Sequence, residues 1–317
     1  MSVFQLLLWY NIFMFKAGKV AIIGRPNVGK STLLNVMVKE KVCIVSEKPE
    51  TTRDNIQGIL SGKDFQVVFM DTPGIHRPKN LLGKLMVRKA QASLLETDLN
   101  IVLIDAHSGI TKEDIEIFNL MPVKLNILII NKIDGIDRRH ILPIIEKAQK
   151  FNFKEIIPIS ALKKDGTGLV FKKILEYLPE GFPFFPDDQL TDKNERFIVQ
   201  ELIREKTLEI TYQEVPHSIA VVVEEMKERP PSPCPLPQTG ERIKVKGTVY
   251  IRANIYCEKD SQKGIIIGKD GKMLKKIGEF SRKDIENFLR KKVFLDLWVK
   301  VYKNWRKDPF ALKNLGY

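Results

Sequence analysis

The sequence predicts an α/β protein in two parts: a domain with a mainly parallel sheet, then a smaller α+β domain. Three observations carry this. Residues 17–180 alternate apolar, β-branched runs with helix-length stretches, the pattern of a parallel sheet with crossover helices. Gly24-Arg25-Pro26-Asn27-Val28-Gly29-Lys30-Ser31 fits G-x-x-x-x-G-K-[ST] between a strand-like run and a helix-like one. Beyond residue 192 alternating strands flank a loop rich in glycine and lysine. At 317 residues the chain is long enough for two cores.

The first strand is read over Lys19–Ile23 and the first helix over Thr32–Lys39. Between them the glycines let the backbone curl so that its N–H groups face inward. These donors and the positive end of the helix cradle phosphate oxygens. Lys30 is placed to reach the β- and γ-phosphates, and the Ser31 hydroxyl to hold Mg²⁺. Gly24 to Thr32 are therefore nucleotide-site candidates.

Further strands are expected at Gln66–Met70, Asn100–Ile104, Ile127–Ile130 and Ile156–Ile159, with helices at Leu82–Leu95 and Arg139–Lys150. Functional loops should follow strand C-terminal ends. Three strands end in polar groups. After the second come Asp71, Thr72, Pro73 and Gly74, where an Asp can hold Mg²⁺ through water and a Gly N–H can approach a γ-phosphate. Another ends in Asn131, Lys132, Ile133 and Asp134. A carboxylate there accepts N1–H and the exocyclic amine of guanine, which adenine does not offer, so Asp134 argues against an ATPase of repair or transport. The last ends in Ser160, Ala161 and Leu162, placed to meet the guanine O6 through backbone N–H.

With these motifs in this order, residues 17–180 resemble the translation-factor-related GTPases. The resemblance implies GTP/GDP and Mg²⁺ as ligands. It implies that Thr51 or Thr52 is the switch threonine on Mg²⁺, Thr52 being preferred because it directly precedes Arg53. Switch I would span Val45–Gln57 and switch II Thr72–Leu85. Lys30, Thr52 and Gly74 would carry the reaction, with Ser31, Thr52 and Asp71 (via water) around the metal. Ile75 stands where Ras-like enzymes carry a water-orienting glutamine, so intrinsic hydrolysis should be slow. Asn27 is a candidate K⁺ ligand in compensation. His76 is a weaker candidate base, read as a switch-loop residue.

Residues 181–192 read as a packed Pro/Phe linker. A helix is expected over Lys193–Lys206, then strands at Ser218–Glu224, Thr248–Glu258 and Val293–Lys303, the last with Val293, Leu295, Leu297, Val299 and Val301 on one face. Between the last two strands lie Gly264, Ile267, Gly268, Lys269, Asp270, Gly271, Lys272, Lys275 and Lys276. I-I-G-K-D-G resembles the GxxG loop of a KH domain, where glycines admit a nucleic-acid backbone and lysines face phosphate. The order of elements fits the type II arrangement over 193–307. Residues 228–247 are an inserted Pro-rich loop, and 308–317 a tail.

Residues 1–16 form an apolar extension, too short to span a bilayer and without a basic n-region. They read best as a misassigned start upstream of Met14. Cys43, Cys234 and Cys257 form no CxxC pair, so neither a disulfide framework nor a zinc site is indicated, which fits a reducing cytoplasm. From Glu241 to Tyr317 there are 20 Lys/Arg against 9 Asp/Glu, a net of +11, while the other 240 residues carry +2. A basic quarter on a near-neutral body points to a polyanion.

A GTPase domain joined to a C-terminal KH domain resembles the Era-type GTPases, bacterial ribosome-assembly factors. The resemblance covers about 17–307 and implies binding of 16S rRNA on the 30S subunit, no DNA partner, a cytoplasmic location and peripheral association with anionic membrane. The alternative is a membrane- or protein-docking signalling GTPase whose basic domain binds no RNA specifically.

Overall fold

The computed structural model describes residues 15–46, 48, 51–75, 78, 80–122, 125–211, 215, 218–229 and 248–317. The apolar extension as far as Met14, His76, Cys234 and residues 230–247 of the insertion lie outside them. The chain divides into two compact units, one reaching Lys193 and the other running from Asn194 to Tyr317.

The first unit is a six-stranded sheet in the order β2-β3-β1-β4-β5-β6. Its strands are β1 Lys16–Gly24, β2 Ile56–Gly62, β3 Phe65–Asp71, β4 Leu99–Asp105, β5 Leu125–Asn131 and β6 Glu155–Pro158. All pairs are parallel except β2 with β3, a hairpin that the sequence reading missed. Among the described residues its α-helices are α1 Lys30–Val38, α2 Leu81–Leu95, α3 Lys112–Leu120, α4 Ile141–Ala148 and α5 Thr167–Tyr177. Central strands are buried on both faces, which is why they read as unbroken apolar runs. On one face Ala21, Ile23, Val102, Ile104, Leu128 and Ile130 pack with Ala90, Leu94, Ile117 and Ile141 from the helices. Parallel register aligns the C-terminal ends of β1, β3, β4 and β5, and motifs follow β1, β3 and β5.

The linker is a working part of this unit. The buried Gln66 side chain accepts from Phe184 N (2.6 Å) and Phe185 N (2.9 Å) and donates to Phe185 O (2.8 Å). Farther on, Ile59 N donates to Leu190 O and Gln57 N to Asp192 Oδ1, both at 2.9 Å. The segment so covers the open edge of β2.

The second unit begins with α6, Glu195–Ile210, capped by Asn194, whose side chain accepts from Phe197 N at 2.9 Å. It starts two residues later and ends four later than Lys193–Lys206, because the cap sets its start and Leu208 is still buried in its last turn. The strands β7 Ala220–Arg229, β8 Thr248–Cys257 and β9 Lys292–Val301 form a sheet in that order, β7/β8 antiparallel and β8/β9 parallel. Helices α7 Asp260–Ile267 and α8 Lys272–Leu289 connect β8 to β9.

Two boundaries are corrected. β7 runs on to Arg229, which pairs with Thr248, so residues 228 and 229 are sheet rather than inserted loop. The segment 308–317 is no tail. Asp308 caps α9, Pro309–Asn314, with Pro at its first turn, and Ala311, Leu312 and Leu315 are buried. Tyr317 stacks on the buried Trp305 at 5.6 Å, and Trp305 Nε1 donates to Ser218 O (2.9 Å).

Candidate guanine-nucleotide and nucleic-acid sites

The phosphate loop leaves β1 at Gly24 and enters α1 at Lys30. Gly29 caps α1 with φ 99°, and a Cβ there would lie 2.3 Å from Asn131 Nδ2, so only glycine fits. Val28 is buried and its carbonyl accepts from Asn131 Nδ2 at 2.8 Å. Pro26 is half-buried, Asn27 is exposed, and Thr32 lies in the first turn of α1. Lys30 is buried and curls back over the loop, donating to Gly24 O (3.2 Å) and Arg25 O (2.8 Å). Burial pushes its ammonium down to about 8, against the pull of Asp71.

Ser31, Thr52 and Asp71 come from three separate segments and converge. Ser31 Oγ donates to Asp71 Oδ2 at 2.7 Å, Thr52 Oγ1 donates to the same oxygen at 3.2 Å, and the two hydroxyls stand 3.0 Å apart. Asp71 Oδ1 is buried with no hydrogen-bond partner. Burial pushes this carboxyl above its usual range, opposed by Lys30 and the two hydroxyls. An orphaned buried carboxylate oxygen beside two hydroxyls is an oxygen donor set suited to a hard cation such as Mg²⁺. Thr51 is also buried, but Thr52 is the threonine with its hydroxyl on Ser31 and Asp71. Thr72 Oγ1 donates to Ile22 O (2.9 Å), and Ile75 N to Gly24 O (3.3 Å), so the run Thr72, Pro73, Gly74, Ile75 is buried against the start of the phosphate loop.

At the base end Asn131 Oδ1 accepts from Ala161 N at 2.9 Å. This bond ties the Ser160-Ala161-Leu162 turn to the end of β5. Ser160 is buried and its hydroxyl donates to Asp134 Oδ1 at 2.5 Å, holding that carboxyl below its usual range. Asp134 and Leu162 are exposed, and Ile133 is half-buried. Lys132 has φ 67° and pairs with Asp105 Oδ2 at 2.8 Å.

Sequence reasoning missed what fastens these loops. Arg25, assigned to the nucleotide, directs its guanidinium away from the loop: Nε donates to Asp114 Oδ1 and Nη2 to Ser108 Oγ, both at 2.8 Å. The signal for Asp114 was present, since Thr111 and Asp114 form a capping box at the start of α3. Asn35 likewise receives Val42 N (3.0 Å) and Cys43 N (2.9 Å) ahead of switch I.

In the second unit Gly268, Lys269, Asp270 and Gly271 join α7 to α8 through a short 3₁₀ turn, Lys269–Gly271. Gly268 has φ 72°, and a Cβ there would meet Met273 Cβ at 2.6 Å. Gly271 faces open space. Gly264 lies within α7, its carbonyl accepting from Gly268 N at 2.8 Å. Lys269, Asp270, Lys272, Lys275 and Lys276 are exposed and Ile267 is half-buried. Among the described residues no group of three or more His, Cys, Asp or Glu side chains is placed to hold a metal, and no helix is long and apolar enough to cross a membrane.

Comparison with known proteins agrees with this division. The family model for 50S ribosome-binding GTPases matches residues 19–132, and that for KH domains matches 214–306. The GTPase Era of Ruminiclostridium cellulolyticum is 47% identical over 306 residues, covering 96% of this chain and 98% of its own. A crystal structure of Era with MgGDPNP and nucleotides 1506–1542 of 16S ribosomal RNA is 42% identical and superposes with a TM-score of 0.88, over 96% of this chain and 99% of that one. A crystal structure of an Aquifex aeolicus Era variant bound to GDP·AlF₄⁻ gives 41% and 0.87, with the same coverage.

Proposed function

Because this chain belongs to the Era family of GTPases, we propose that it is a GTP-hydrolysing switch that binds 16S rRNA through its second unit and acts in assembly of the 30S subunit. The observation that carries the switch is the convergence of Ser31, Thr52 and Asp71 from the phosphate loop, switch I and the end of β3.

The phosphate loop would hold the β- and γ-phosphates with its N–H groups and with Lys30, whose ammonium is freed from the Gly24 and Arg25 carbonyls when phosphate replaces them. Ser31 and Thr52 would ligate Mg²⁺ directly and Asp71 through water; the ion would supply charge neutralisation to the phosphates. Asp134 would read guanine N1–H and the exocyclic amine. Ile75 offers no group to orient water, so we infer a slow intrinsic rate, with Asn27 as a K⁺ ligand beside the phosphates. Loss of the γ-phosphate releases Thr52 and the Gly74 N–H. Switch I runs directly into β2, whose Gln57 and Ile59 amides hold the linker. There the exposed glycine–lysine loop would grip the backbone of single-stranded RNA. A cytoplasmic site of action, with peripheral contact to anionic membrane, completes the reading.

The deciding measurement is binding of a single-stranded RNA copying the 3′ end of 16S rRNA, with a GTP analogue and with GDP, at two salt concentrations. Tight, sequence-selective, nucleotide-dependent binding is expected. Equal affinity in both nucleotide states refutes the coupling, and binding that vanishes at the higher salt leaves only generic phosphate attraction.

A further inference from the structure

The segment between β4 and α3 belongs to none of the nucleotide motifs, yet it holds two of them. At one end Asp105 Oδ2 pairs with Lys132 of the base-recognition loop at 2.8 Å. The same carboxylate's Oδ1 accepts from His107 N (2.9 Å), and Ala106 N donates to Asn131 O (2.9 Å), so the segment is bonded to the end of β5 through backbone as well as charge. At the other end Asp114 and Ser108 take the Arg25 guanidinium of the phosphate loop.

Asp114 is only 1% exposed. Its Oδ2 is already committed to Thr111 N (2.9 Å) and Thr111 Oγ1 (2.8 Å), leaving Oδ1 for Arg25. A buried carboxylate stripped of its cation is strongly unfavourable, so Arg25 is held firmly. Its planar fork reaches two acceptors at once, which fixes orientation as well as distance. Arg25 is the residue after Gly24, where the phosphate loop makes its first turn. Fixing it there sets the direction of the N–H groups that follow.

We propose that Arg25 and Asp114 are a positioning pair, and that segment 105–114 is a strut joining the phosphate and base ends of the nucleotide site. Neither residue touches phosphate through its side chain; each acts by holding the loop that does. The inference rests on the guanine-nucleotide reading of the site. It makes nucleotide residence depend on an ion pair formed entirely within the protein.

The test uses the full chain, a fluorescent GDP and its dissociation rate, with thermal melting alongside. Arg25→Ala and Asp114→Asn should each speed GDP dissociation on the order of tenfold, and the Arg25→Ala/Asp114→Asn double variant should do little more, since both break one interaction. Arg25→Lys should restore part of the effect. Asp105→Asn should weaken guanine-nucleotide binding on the order of tenfold through Lys132. Melting alone that falls, with GDP dissociation unchanged in the folded fraction, would overturn the proposal, as would fully additive single effects. If Arg25→Ala fails to fold, Ser108→Ala and Arg25→Lys decide: faster dissociation supports the strut and unchanged dissociation overturns it. A wild-type chain that binds no guanine nucleotide refutes the functional reading instead, a result read before any variant is made.

Discussion

In the nucleotide unit Lys30, Asp71, Thr72, Asn131 and Ser160 are all buried, Lys30 bonded back to its own loop and the others to other segments of the unit. In the second unit Lys269, Asp270, Lys272, Lys275 and Lys276 stand in solvent on a loop and the first turns of a helix. The first site has been desolvated and oriented during folding, so a ligand finds its partners in place. The second offers charge and a close backbone approach, and its attraction is open to screening by salt. A small ligand can be enclosed by strand ends; a polymer has to be met on a surface.

The largest effect should come from Lys30→Ala. Removing the buried cation that we propose meets the reacting phosphates is expected to lower kcat about 10²–10³-fold, while affinity for the RNA measured without nucleotide stays at the wild-type level. Single-turnover hydrolysis and RNA titration on one preparation check this. Loss of both activities together would erase the contrast between the units. Next is Gly268→Asp with Gly271→Asp. The first breaks a left-handed backbone position packed on Met273 and the second puts an anion in open space at the loop. RNA binding should fall ~100-fold, with GTP hydrolysis in the absence of RNA unchanged. Retained RNA affinity would move the RNA site off this loop.

The smallest effect is in pH. In the nucleotide-free chain Lys30 releases its proton at about 8, whereas the unfolded chain holds it to 10.5. GDP binding in Mg²⁺-free buffer requires the ammonium, so affinity should drop by up to about tenfold per pH unit above 8 and be insensitive to this group below it. The free chain gains stability from the same lysine between those values, because there the unfolded state binds the extra proton. RNA affinity should show no break at pH 8, which sharpens the difference between a buried cation and exposed ones.

What could be read from the sequence divides along similar lines. Motif residues announced themselves because each sits at the end of an apolar strand and local spacing carries the chemistry. The fasteners did not. Arg25 and Asp114 are 89 residues apart, and Gln66 and Phe184 118 apart, with no local pattern to join them. β2 was missed because Gly58, Ser61 and Gly62 dilute its strand character and the Gln57 and Ile59 amides are taken by the distant linker. The continuation of β7 was hidden by the largely charged run Glu224–Arg229, which reads as loop on composition alone. In α9 the signal, Asp308 before Pro309, was present and its burial was not. The GxxG loop was legible for the same reason as the phosphate loop: Gly29 and Gly268 combine a positive φ with no room for a Cβ, which only glycine satisfies.

The fastening of residues 184–192 to β2 and β3 changes what kind of connector this is. Counted as composition, it reads as a flexible spacer whose ends would wander by roughly 5–6 Å times the square root of its length. Pinned at Phe184, Phe185, Leu190 and Asp192, it has no such freedom within its own unit. It serves the sheet as a selvedge serves cloth: a finished border that keeps the last strand from offering its amides to another chain.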